Sequence, residues 1–136
     1  MSESGFDLGL DDASQAGVFE VDAADLPALA AAARDAGLLA RRIELHGCDS
    51  KRALLLRLAT VLDLPAGRGG NWDALSDALR DLDWLPAPGY ALLFEGGAPL
   101  RAALPQEFAT LLDVLQEASQ WWAEAGVPFW VFLAED

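Results

Sequence analysis

Two periods of apolar recurrence divide the chain. In KRALLLRLATVLDLP, residues Ala53, Leu54, Leu58, Val61 and Leu62 fall on one side of a helix. It starts after Asp49 or Ser50 as N-cap and ends before Pro65, because a residue preceding proline is pushed out of the helical region. DAADLPALAAAARDAG predicts another helix, with Pro27 tolerated in its first turn and Gly37 as its stop. The longest runs through FATLLDVLQEASQWWAEAG, opened by Pro105 and closed by Gly126. Between these lie short β-like runs: GVFEVD around Val18 and Val21, LLARRIELHG at 38–47, YALLFE at 90–95 after the turn LPAPG, and PFWVFLAE at 128–135. The last is apolar on both faces, which predicts a central or covered strand. Helices between successive strands favour parallel pairing, so the fold class is α/β: a small, mostly parallel sheet packed with helices in two or three layers. Residues 1–16 show little periodicity and read as a loose acidic tail ahead of one domain at 17–136.

The stretch GGNWDALSDALRDLDW, residues 69–84, follows a Gly-rich loop and reads as a helix of its own. Trp72, Leu75, Leu79 and Leu82 fall within one arc, while Asp73, Asp77 and Asp81 line up at i, i+4 and i+8 on another. Asn71 fits the N-cap position, and Asp73 in the first turn is favoured by the helix dipole. Asp77 and Asp81 gain nothing comparable. Like charges four residues apart repel by about 0.2–0.5 kcal/mol, relieved only in part by Arg80. A solvated helix face accounts for such a row, and so does a docking surface for basic side chains.

Charge bears on that choice. The chain has 136 residues and a formal charge of −13, and its nine Lys and Arg residues form no basic stripe. A nucleic-acid ligand is therefore disfavoured, and an electropositive protein partner fits better. With 53% hydrophobic residues, a packed domain is expected rather than disorder. Cys48 and His46 are each the only residue of their kind, which excludes a disulfide framework and a structural zinc site built from several such ligands; no metal or cofactor is expected. The N-terminus lacks the basic start and apolar core of a signal peptide, and no apolar run approaches the roughly 20 residues that span a bilayer. A cytoplasmic protein without a membrane partner is the expectation.

Enzymatic alternatives find little support. The loop GRGG lacks the Lys-Ser/Thr ending of a P-loop and follows a helix rather than a strand, so Gly69 and Gly70 are expected to provide positive φ for a sharp turn into the next helix. His46 and Cys48 share one face of an extended segment but lack an orienting acid and an oxyanion hole. Five tryptophans are many for one small core. Trp121 and Trp122, adjacent on a helix and so about 100° apart, cannot both point inward. Trp84 and Trp121 are thus candidate interface aromatics.

The run from Leu64-Pro65 through a short loop to Gly69, Asn71, Trp72, Asp73, Ala74, Leu75 and Asp77 resembles the barstar family, intracellular inhibitors of barnase-type ribonucleases. RRIELHG is similar to that family's first strand, YALLFE to its second, and LLDVLQEASQWWAEAGVPFWVFLAE to its terminal helix and strand, so the likeness covers about residues 40–136. It implies three parallel core strands, to which residues 17–38 add a strand and a helix. It implies no enzyme, but an inhibitor that plugs a ribonuclease active site with its second helix and the loop before it. Asp77 matches the principal acidic contact, which takes the place of the substrate phosphate among the enzyme's arginines and histidine; Asp73 matches a second contact one turn earlier. Gly69, Arg68 and Asn71 lie in the contacting segment, while Asp81 and Asp83 are left as bystanders. The chain departs from the family at Gly67 and Arg68, where aromatic residues are usual, and at Trp121, where a further acid is usual. An arginine at position 68 is unfavourable against a basic enzyme unless it points away. The other reading is a non-inhibitory interaction module of the same fold that uses Trp84 and Trp121 to bind another protein or itself.

Overall fold

A computed structural model describes residues 9–136. The strands are β1 (Val18–Glu20), β2 (Leu39–Glu44), β3 (Tyr90–Glu95) and β4 (Phe129–Leu133). The helices are α1 (Leu26–Asp35), α2 (Lys51–Val61), α3 (Trp72–Leu79), α4 (Gly97–Ala103) and α5 (Pro105–Glu124). All strand pairs are parallel, in the order β1-β4-β3-β2. The α/β class and the parallel sheet are as expected, with the added strand β1 at one edge beside β4.

Alternation within the two inner strands creates two cores. Tyr90, Leu92 and Phe94 of β3 and Phe129, Val131 and Leu133 of β4 point to one face, under α2, α3, α4 and α5. Ala91, Leu93, Trp130 and Phe132 point to the other, under α1. The result is three layers. Connection chirality explains the split: steps β2→β3→β4 cross the sheet in one direction and β1→β2 crosses in the other, so crossovers of one hand put α1 on the opposite face from the rest. β4 is buried along its whole length, as its two-faced apolarity implies. Edge strand β2 instead carries charge, with Arg41 paired to Asp63 and Arg42 to Glu95, which discourages edge-to-edge association.

Local signals set most helix ends. The Ser50 hydroxyl, not Asp49, caps α2 by accepting from the Ala53 N–H at 3.1 Å. Pro27 and Pro105 sit in first turns. At Gly37, φ +86 lets Leu38 N–H reach the Ala33 carbonyl and Gly37 N–H the Arg34 carbonyl, closing α1.

Three expectations change. The helix α4 was not anticipated from the sequence. The loose tail expected through residue 16 is shorter: Leu10 is buried in the α1-side core, its carbonyl accepts from Trp130 Nε1 at 2.8 Å, and Ala13–Gln15 form a 3-10 turn. The part of that tail at residues 1–8 lies outside the described residues. Finally, α3 stops at Leu79 rather than running through Leu82. No helix among the described residues is long and apolar enough to cross a membrane.

Candidate functional site

The site is built on α3 and the loop before it. Asn71 caps the helix, its side-chain oxygen accepting from Ala74 N–H at 2.7 Å. Leu75, Ala78 and Leu79 are buried beneath, and Trp72 is half-buried with Nε1 donating to Glu107 of α5 at 2.9 Å. At the other end, Trp122 Nε1 donates to the Leu79 carbonyl at 2.7 Å, occupying one of the orphan acceptors at the helix terminus. Leu82 follows with φ +51, an uncommon conformation for a branched side chain, and is buried. It therefore joins the core as expected but from a turn, and Asp81 does not extend the helical row.

Asp73 and Asp77 remain on α3, one turn apart and exposed. Asp77 is not bare: its Oδ1 accepts from Arg80 Nη2 at 2.7 Å, while Arg80 Nε reaches the Ser76 carbonyl and its guanidinium lies 5.8 Å from the Trp121 ring centroid. An exposed pair of this kind is worth at most about 1 kcal/mol, so a partner's cations can displace it. Trp121 is 50% exposed, while Trp122 turns inward.

Arg68 and the acids after α3 take roles the sequence does not suggest. Arg68 Nη2 pairs with Asp81 at 2.8 Å and Nη1 with Asp83 at 3.7 Å, and the guanidinium stacks 4.7 Å over Trp84. The loop arginine is thereby neutralised and folded down, which removes the conflict it would pose to a basic partner. Asp81 and Asp83 are its anchors rather than bystanders. Trp84 is correspondingly not a free docking aromatic: it is half-buried, with Nε1 donating to the Leu62 carbonyl at 3.0 Å and its ring covered by Arg68.

Of the two glycines at the loop end, only Gly69 has positive φ, at +108. A Cβ there would sit 2.5 Å from Leu64 Cδ2, whereas a Cβ on Gly70 meets nothing. Gly69→Ala is expected to cost about 1–3 kcal/mol in urea unfolding through backbone strain, with Gly70→Ala near neutral.

His46 and Cys48 do not form a reactive pair. A turn at His46-Gly47 separates them, leaving His46 exposed beside Glu44 at 3.7 Å and Cys48 buried in the core. Burial pushes the Cys48 thiol up, with Asp49 adding to the shift and Arg57 opposing it. Since the neutral thiol is the form the fold favours, this contribution to stability holds below the ordinary thiol range and is lost as alkali drives ionisation. At pH 7, thiol labelling should run far slower in the folded chain than in urea, and a folded-state rate equal to the unfolded one would contradict the burial.

The parallel sheet, with helices on both faces and an outward acidic helix beside a pinned loop, defines a small α/β protein of barstar-like architecture. The chain belongs to the barstar family: the family model described as Barstar (barnase inhibitor) matches residues 38–134. The family's proteins are inhibitors rather than enzymes. The chain has no match among curated proteins. The family match starts at Leu38, so β1 and α1 lie outside it.

Proposed function

We propose that this protein inhibits a basic, barnase-type ribonuclease by setting Asp73 and Asp77 against the cations that hold the substrate phosphate. The observation that carries the reading is the pair of exposed carboxylates one turn apart on a helix fixed at both ends, by the Asn71 cap and by Trp122. Side chains on such a support lose little freedom on binding, and charge-assisted hydrogen bonds to arginine are the strong kind. Arg68, tied to Asp81 and Asp83, presents no free cation to the enzyme. The single cysteine is an unpaired buried thiol, in keeping with a cytoplasmic site of action. The test is titration of a barnase-type ribonuclease with the purified chain: stoichiometric, salt-sensitive loss of RNA cleavage is expected, and unchanged cleavage at micromolar excess would refute inhibition.

One observation favours the second reading, a non-inhibitory module of the same fold: Trp121 is half-exposed where the family usually has an acid. Under that reading Trp121→Ala abolishes complex formation and Asp77→Ala leaves it intact. The inhibitor reading requires the reverse ranking.

A further inference from the structure

A groove of about 630 Å³ lies between α2 and the 64–70 loop. Leu55, Ala59 and Leu64 give it an apolar lining, and Leu56, on the solvent side of α2, is 64% exposed along it. Lys51, Arg52 and Arg68 also line it. Their presence is unusual in a chain of charge −13. Arg41, Arg42, Arg68, Arg80 and Arg101 each have a carboxylate within ion-pair distance, Arg57 donates to the Glu44 and His46 carbonyls, and Arg34 lies in the last turn of α1, where the dipole favours a cation; among the described residues Lys51 and Arg52 have no carboxylate partner and no such compensation. Lys51 and Arg52 are moreover the first two residues of α2, where the helix dipole opposes cations, and no acid shares that turn. Both are exposed, so no packing role offsets this cost.

We infer that this groove is a second half of the partner interface, receiving an acidic segment with an apolar side chain from the same protein whose cations meet Asp73 and Asp77. The inference rests on the inhibitor reading above. Charge complementarity specifies the occupant: carboxylates for Lys51 and Arg52, and an aliphatic or aromatic group for Leu55, Leu56 and Leu64. Continuity places it on the same partner, because the 64–70 loop walls the groove and then runs directly into the Asn71 cap of α3. A protein seated on Asp73 and Asp77 with an extended contact patch also covers the loop. The surface is thus bipolar, and it discriminates against proteins that are uniformly basic, which offer cations to both halves and are repelled at one.

The experiment compares binding of a catalytically inactive barnase-type ribonuclease to the wild type, to Lys51→Glu/Arg52→Glu and to Asp77→Ala, by calorimetry at fixed ionic strength. The double reversal makes the chain more acidic. A partner touching only the acidic helix would bind it equally well or, through steering, better. At least a tenfold weaker Kd is expected instead, with Leu56→Ala also weaker by several-fold. Misfolding is separable, because two glutamates in the first turn complement the dipole and the variant should unfold at the same temperature as wild type or higher. Wild-type binding that is lost in Asp77→Ala but kept in the double reversal overturns this inference and leaves the inhibitor reading standing. No wild-type binding removes both. Self-association of the wild type that the double reversal abolishes assigns the groove to a second copy of the chain, and also overturns it.

Discussion

Asp77→Ala is expected to weaken binding to a barnase-type ribonuclease by about 3–5 kcal/mol, the usual cost of removing one partner from a desolvated charge pair, or roughly two to four orders of magnitude in Kd. The loss is large because the enzyme's cations would stay buried without a counter-ion. The same substitution should leave the inhibitor itself as stable as before or slightly more so. It removes the exposed pair with Arg80, worth little, but it also relieves repulsion from Asp73 and introduces the best helix former in a helix interior. Asp73→Ala provides the contrast: a smaller loss of binding, with a stability loss of about 0.3–1 kcal/mol, because Asp73 is the acid in the first turn that the dipole favours. The two effects separate in urea unfolding against calorimetric titration. Inhibition by Asp77→Ala as strong as by wild type would show that the acidic row is only a solvated face.

The parts of this arrangement that follow from neighbours in the chain were legible beforehand. Asn71 as a cap, a cap for α2 at Asp49 or Ser50, the prolines in first turns and the central place of FWVFL each depend on residues within a turn or two, or on two-sided apolarity alone. The parts that depend on distant groups were not. α3 ends where Trp122, 43 residues away, takes the Leu79 carbonyl, and where burying Leu82 offsets an unfavourable φ. GAPLRAA has no apolar stripe and becomes α4 because Gly97 and Ala98 N–H groups bond to the carbonyls of Ala134 and Glu135, with Leu100 buried beneath. Arg68 reads as an obstacle in sequence because nothing in its local pattern shows that the turn after α3 brings Asp81, Asp83 and Trp84 under it. Asp73 and Asp77 could be named from spacing and likeness, and Arg80 as their neighbour in the helix; the ion pairs that neutralise Arg68 required the fold.

Removing residues 1–35 is expected to leave a chain that aggregates or self-associates, although the whole stretch matched by the family model, residues 38–134, would still be present. Leu26, Leu29, Ala30 and Ala33 of α1 are buried against Leu93, Trp130 and Phe132. At about 1.5–3 kcal/mol for each large aliphatic side chain buried, losing the two leucines and their contacts consumes much of a domain stability of roughly 5–15 kcal/mol. The strand loss matters as much. β1 pairs with β4 from Val18↔Val131 to Glu20↔Leu133, and without it Phe129–Leu133 becomes an exposed, wholly apolar sheet edge, which is a template for pairing with other chains. Leu26→Ala should show the first effect without the second: a loss of about 2–5 kcal/mol with the elution volume of the wild type. Size-exclusion chromatography and urea unfolding of the two variants separate these contributions. A truncated chain that runs as a monomer and unfolds at the wild-type midpoint would mean that the strand and helix outside the family match add nothing to the fold, and that the core over α2–α5 is sufficient on its own.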